Sequence, residues 1–267
     1  MDEIKKTTRY QKLDVLIPGT RELFFAISLL LFLVGSAATA QFHWIEAAVP
    51  FSSTRWGGSM VFHEKHNRVF AWTRNYDFGG PGHFCEWNGE RWIPLPVTPA
   101  SGMPDSVVSL VYDKTRGKVF CFGGQHVSSL KYLNDTWMLV GGKWVILNPG
   151  IAPSPRGNAY LAFDEFKNVT VLFGGFGPVN STNQYLIDTW TWDGKAWKEI
   201  KTQSHPPATT YPNKGWLSMA YDVTEKKVCI YDGRALWHFT GSDWGKTPGG
   251  GGPRPGALAS DTPAGRL

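Results

Sequence analysis

Few side chains in this chain are spaced for chemistry. His63-Glu64-Lys65-His66 sets two imidazoles three residues apart, a spacing that metal sites use. Asp135 and Asp188 would form a carboxylate pair for acid and base work if the fold brought them together. Arg55 and Arg156 carry the planar guanidinium that grips carboxylates two-handed. No Gly-x-Ser-x-Gly elbow, His-Glu-x-x-His helix or phosphate loop occurs, so the sequence bears no hydrolase, zinc-protease or nucleotide-binding signature.

The place of each residue in a repeat decides among these readings. Trp190-Thr191-Trp192-Asp193-Gly194-Lys195-Ala196-Trp197 has three relatives, each ending in a Trp five residues after an aromatic or Leu: Trp87 to Trp92, Leu139 to Trp144 and Phe239 to Trp244. A glycine turn lies within each, at Asn88-Gly89, Val140-Gly141, Asp193-Gly194 and Thr240-Gly241. Apolar flanks around such a turn signal a hairpin, because Gly accepts the positive φ that a tight antiparallel reversal needs. A second hairpin precedes it: Phe62-His63, Tyr112-Asp113, Phe163-Asp164 and Tyr221-Asp222 each close an apolar stretch, and strand resumes after a charged turn. Asp at that point bonds to the turn backbone. Each unit is therefore four short strands a, b, c and d, and units of about fifty residues mark a β-propeller. The periodic Trp92, Trp144, Trp190 and Trp197 are expected between blades rather than against a ligand.

In that frame the chemical candidates become structural. His63 holds the slot of Asp113, Asp164 and Asp222, so it belongs to an a–b turn and not to a metal site. Asp135 and Asp188 each stand just ahead of a Trp and are expected to fix local turns. Arg55 and Arg156 open the a-strands, where a guanidinium bonding carbonyls or acids between blades is expected.

Two units end their b-strand in a diglycine, Val119-Phe120-Cys121-Phe122-Gly123-Gly124 and Val171-Leu172-Phe173-Gly174-Gly175, and continue into Leu133-Asn134-Asp135-Thr136-Trp137 and Ile187-Asp188-Thr189-Trp190. In these residues the chain resembles the kelch repeat, in the form found in bacterial proteins similar to the galactose oxidase central domain. The likeness covers most of residues 42–246. It is weaker at the ends: Thr73-Arg74 and Asp232-Gly233 replace the diglycine, and Trp87, Leu139, Trp192 and Phe239 replace the family's c-strand Tyr. The resemblance implies an all-β kelch-type propeller of four-stranded antiparallel blades. Kelch-like propellers close with six or seven blades, so four units imply a partial or degenerate array. Phe42-His43-Trp44-Ile45-Glu46 resembles a lone d-strand, and Asp243-Trp244 is a rudimentary one. A copper centre of the galactose oxidase kind would need two Tyr, two His and a Tyr–Cys link near the axis. The histidines here are scattered and the cysteines lie in repeat-core positions, so no metal or cofactor is expected.

Residues 1–40 read as a secretory signal peptide: a basic start, the uncharged run Leu23 to Val34, and Ala38-Thr39-Ala40 as the cleavage site. An uncleaved anchor is the competing reading, although the run is short of the ~20 residues a spanning helix uses. The propeller repeats fill 41–246, and 247–267 reads as a disordered Gly/Pro-rich tail. Lys and Arg number 27 against 22 Asp and Glu, a net charge of +5 without clustering, which argues against nucleic acid. Cys85, Cys121 and Cys229 lie mid-strand and are expected buried and unpaired. Asn134-Asp135-Thr136, Asn168-Val169-Thr170 and Asn180-Ser181-Thr182 match the N-glycosylation pattern, which has meaning only in a eukaryotic secretory pathway.

Strands alternate direction, so the tight a–b and c–d turns share one side and the long b–c loops (73–84, 125–134 and 176–186) and d–a loops (96–104, 147–155 and 201–214) the other. Binding residues concentrate on loops held by a rigid scaffold. The expected ligand-binding set is Arg74, Tyr76, His83, Gln125, His126, Asn183 and Tyr185, with Lys131, Tyr132, Asn180 and Gln184 beside them. Amides and aromatic rings suit a carbohydrate, a peptide or an envelope protein. The expected function is an exported binding module with no catalytic residue; the alternative is a carbohydrate-active or copper-radical enzyme whose chemistry sits on further blades. A membrane is a partner only if the N-terminal segment stays uncleaved.

Overall fold

The computed structural model describes residues 59–73, 83–95, 102–126, 128–208 and 217–247. The chain divides into two compact units, Met1–Ile45 and Glu46–Leu267, and every described residue belongs to the second. The expected signal segment, the lone strand at 42–46, Arg55 and nearly all of the tail lie outside these ranges; the last strand reaches Thr247.

Four antiparallel sheets follow one another along the chain. The first holds β1 (Ser59–His63), β2 (Arg68–Thr73), β3 (His83–Trp87) and β4 (Trp92–Pro94). The second begins with β5 (Ser109–Asp113) and β6 (Lys118–Phe122), is interrupted by a two-stranded ribbon of β7 (Gln125–His126) and β8 (Lys131–Tyr132), and is completed by β9 (Thr136–Val140) and β10 (Lys143–Leu147). The third holds β11 (Tyr160–Asp164), β12 (Val169–Val179), β13 (Thr182–Trp192) and β14 (Trp197–Ile200). The fourth holds β15 (Ser218–Asp222), β16 (Lys227–Tyr231), β17 (Leu236–Phe239) and β18 (Trp244–Thr247). The a-strands pack side by side, β1 on β5, β5 on β11 and β11 on β15. The architecture is an all-β propeller of four blades.

The turns explain why these residues make these strands. In every c–d hairpin the two residues that flag the repeat are direct cross-strand partners: Trp87 with Trp92, Leu139 with Trp144, Trp192 with Trp197 and Phe239 with Trp244. The a–b turns each place one residue in the left-handed region four positions after the strand's last residue: Asn67, Gly117, Asn168 and Lys226. In three of them an aspartate closes the turn, with Asp113, Asp164 and Asp222 accepting backbone N–H groups of the turn. Asp243-Trp244, expected as a rudiment, opens a properly registered fourth d-strand.

Apolar clusters fill the seams between successive blades. Among the described residues three such clusters join the four sheets. Each seam has the d-strand indole of one blade lying against the b-strand aromatic of the blade before: Trp144 near Trp72 (6.3 Å between rings), Trp197 against Phe122 (5.1 Å) and Trp244 against Phe173 (5.6 Å). The indole N–H is also spoken for in two seams. Trp197 Nε1 donates to Thr136 Oγ1 at 2.8 Å and Trp244 Nε1 to Thr189 Oγ1 at 2.9 Å, in both cases the c-strand threonine of the preceding blade. In the first blade Phe84 stands where those threonines stand. Trp144 meets its ring edge-on at 5.2 Å, and the Trp144 N–H is buried without a partner. Cys85, Cys121 and Cys229 are buried and in no disulfide, as their strand positions imply.

Replacing Thr136 or Thr189 with Val keeps the shape and strands a buried indole N–H. Each change should cost about 1–3 kcal/mol, read as a lower urea midpoint with an unchanged slope.

Candidate functional site

The loop side of the second and third blades is built on a repeated glycine corner. Gly123 and Gly124 have φ of +63° and +105°, and Gly174 and Gly175 have +62° and +108°, so both diglycines turn the b-strand in the same way. A side chain is excluded by space as well as by angle: a Cβ on Gly123 would lie 2.2 Å from the Arg156 carbonyl oxygen. That close approach lets Gly124 N–H donate to Arg156 O at 2.8 Å and Arg156 N–H donate to Leu133 O at 2.9 Å. The segment entering the third blade is thus woven into the b–c connection of the second.

Arg156 then fastens the third blade. It is fully buried, and its guanidinium donates to Asp188 Oδ1 and Oδ2 at 2.6 and 2.7 Å, to Gly174 O at 2.9 Å and to Ser154. Asp188 Oδ2 also accepts the Trp190 indole N–H at 2.7 Å. Burial alone would raise the Asp188 pKa, but the Arg156 fork and the Trp190 N–H hold it below the ordinary carboxylate value. Asp188 was expected to fix a local turn; it is instead the anchor of an arginine 32 residues away. Arg156 bonds carbonyls and an acid as expected, but the partners of its guanidinium belong to the third blade and its entry segment rather than to two blades.

On this frame stand two hairpins. One is the β7–β8 ribbon, joined to the d–a segment before it by Gln125 N–H to Ser106 O at 2.9 Å. The other corrects the expectation of a b–c loop over 176–186. β12 and β13 run on past the blade, pairing Gly175 with Leu186 through to Val179 with Thr182, and Asn180 and Ser181 make the reversal with φ of 49° and 67°. Such a primed turn matches the twist of a hairpin. Phe176 exchanges two backbone bonds with Gly157, each 2.9 Å, which pins the extension to the third blade's entry segment.

The two hairpins meet through aromatic rings. Tyr132 meets Phe176 edge-on with centroids 6.0 Å apart, and Phe176 lies 4.8 Å from Tyr185, its cross-strand partner. Burial, with repulsion from a Tyr185 phenolate second, raises the Tyr132 pKa, so its hydroxyl is a neutral donor and acceptor. Pro178 and Asn183 are opposed two residues further along the hairpin, on the same face as Phe176 and Tyr185, and both are exposed.

The expected site residues divide accordingly. Tyr185 lies in the ring cluster, Asn183 near it on one hairpin face, and His126 on β7 opposite Lys131. Gln125 is on the same ribbon, but its side chain donates to Leu130 O at 3.0 Å and so closes its own hairpin. His83 begins β3 opposite Thr73; its side chain, and all of Arg74 and Tyr76, lie outside the described residues. Part of the long d–a loop over 201–214 is tied down, since Asp243 accepts the N–H groups of Gln203 and Ser204 at 3.0 and 2.9 Å. Phe176, which joins the cluster's two tyrosines, was read only as the start of a loop; its alternation with Pro178 opposite Tyr185 and Asn183 is the signal that marks a strand.

Tyr132, Phe176 and Tyr185 are each half-buried, so their rings are partly open to solvent. A void between the second and third blades, lined by Phe122, Thr136, Thr170 and Trp192 among others, holds about 10 Å³, room for one water. The described residues do not fit a copper–tyrosyl centre: the three cysteines are buried in strands of three different sheets, and no three His, Cys, Asp or Glu side chains converge. Burial pushes the Cys229 thiol up to about 12 and the Cys121 thiol up as well, so neither is a nucleophile.

No protein-family model matches the chain, and no curated protein shows significant similarity to it. The class of protein is therefore defined by architecture, a four-bladed β-propeller with an aromatic platform across two of its blades.

Asp188→Asn removes the charge of the buried pair and should cost about 1.5–3 kcal/mol at neutral pH. Because the folded carboxyl has the lower pKa, its contribution is present above the unfolded value of about 3.9 and is lost as pH falls through the folded one. Acid unfolding curves should converge for the two proteins below that value.

Proposed function

We propose that this propeller is an exported, kelch-like binding module that takes a carbohydrate, a peptide or an envelope protein through the loop side of its second and third blades. The observation that carries the reading is the Tyr132–Phe176–Tyr185 cluster, in which rings from two hairpins of different blades meet outside the four-stranded sheets. Such hairpins need a reason to be long, and aromatic faces beside the exposed amide of Asn183 supply the two contacts that sugars and extended peptides use. A shallow platform suits a chain laid across it better than a small molecule, which is bound in a concavity. The kelch-like assignment is supported by the diglycine and Asp-Thr-Trp units, which in blades two and three share the same corner angles and the same threonine–indole bond. Export rests on the N-terminal segment, and N-terminal sequencing of the mature protein should begin at Gln41.

Glycan and peptide arrays probed with the full chain supply the ligand. Tyr185→Ala should then weaken binding by about tenfold or more, as loss of an aromatic anchor does, while Lys143→Ala on the far hairpin leaves it unchanged. Equal affinity for wild type and Tyr185→Ala would remove the platform from the site.

A further inference from the structure

Three a–b turns are closed by a carboxylate, and the first blade has His63 in that slot. The imidazole makes no bond to its turn. It is turned instead into the seam with the second blade, with centroids 4.4 Å from Tyr112, 5.7 Å from Phe70 and 4.3 Å from His66. The residue is 7% exposed and its Nδ1 is buried without a hydrogen-bond partner. A neutral ring tolerates that, because a bare nitrogen is only an unused acceptor. An imidazolium carries N–H on both nitrogens and would bury a charged donor at Nδ1 with no acceptor beyond a contact with its own backbone.

The surroundings offer no relief. On its own turn stand Glu64, Lys65 and His66; on β2, Arg68 is its cross-strand partner; on β5 are Tyr112 and Asp113, and on β6 is Lys118. The anions among these are engaged elsewhere: Glu64 with Lys114 at 3.2 Å and Asp113 with Arg116 at 2.6 Å. Glu86 on β3 is held by Arg68 at 2.9 Å. Burial first, then repulsion from His66, Lys65 and Lys118, keep the His63 pKa below the ordinary imidazole value, although a contact with its own backbone offsets part of this.

We propose that His63 is an acid-sensitive latch on the seam between the first and second blades, sealed while neutral and loosened when protonated. The sign follows from linkage. The opened form titrates near 6.5 and the sealed form lower, so the opened form takes up its proton first. The seal is at full strength above about 6.5 and weakens as pH falls through the window beneath that value.

The test uses the intact chain. Proton NMR should show the His63 ring titrating below 6.5, and amide exchange, corrected for intrinsic rates, should speed up in β1 and β2 relative to β12 and β13 between about pH 7.5 and 5.5. His63→Asn, which takes up no proton, should abolish that differential. His63→Asp, which reinstates the carboxylate of the other blades, should do the same. A His63 ring titrating at or above 6.5, an unchanged differential in the wild type, or an equal acid response in both variants overturns the latch. Should either variant fail to fold, the wild-type ring titration decides alone.

Discussion

The structure depends on an indole of one blade seated against the sheet of the blade before it. A four-stranded blade has two apolar faces and too few residues to cover either, so it is stable only between neighbours. Burying a tryptophan removes ~150–250 Å² from water, worth about 4 to 6 kcal/mol gross at 25 cal/mol per Å², an upper figure because unfolded chains are partly compact. Set against a domain stability of about 5–15 kcal/mol, one such ring per seam is decisive. Position matters as much as area. The Trp that enters the seam with the preceding blade follows a tight turn, four residues in three blades and two in the second, whose glycine has positive φ, so the turn fixes the register and the register aims the ring.

The hydroxyl that meets the indole N–H adds direction to what area alone would leave sliding. Where Thr136 and Thr189 supply it the seam is both apolar and satisfied. In the first seam Phe84 adds ring contact and forfeits the bond, leaving the Trp144 N–H without a partner. The seams are therefore built alike and finished differently, and stability along the chain need not be uniform.

The hairpins and their registers were legible because they are local. Trp87 and Trp92, or Phe239 and Trp244, are five residues apart, and Gly89 and Gly241 announce the reversal between them. The strand-end aspartates announced their turns for the same reason. What escaped is non-local or ambiguous in pattern. Asp188 sits in a motif that looks like a turn, and only the fold brings Arg156 to it across 32 residues. Gly175-Phe176-Gly177-Pro178 has the composition of a loop, yet the missing side chains at Gly175 and Gly177 are what allow the extension to lie against the entry segment, where a Cβ on Gly177 would be 2.1 Å from Pro155 O. The candidate site was legible as a side of the molecule and as a list of hairpin residues. Gln125, whose amide closes its own ribbon, looked the same in sequence as Asn183, whose side chain is exposed.

The distribution of ties then bears on where binding is placed. Between the second and third blades run the Trp197–Thr136 bond, the Gly124–Arg156–Leu133 weave, Asn158 N–H to Val107 O, and Ser109 Oγ to Ala159 O at 2.6 Å. Between the first and second run the Leu110 N–H to Ser59 Oγ bond and the Lys114–Glu64 pair, with an unpaired indole and an uncapped His63 turn. A platform whose rings come from two blades works only if those blades keep their spacing, because an aromatic contact 4.8 to 6.0 Å across is lost with a small shift. Among the described residues the platform sits on the more heavily tied of these two seams, which meets that requirement. Opening at the first blade would leave the bonds between the second and third in place.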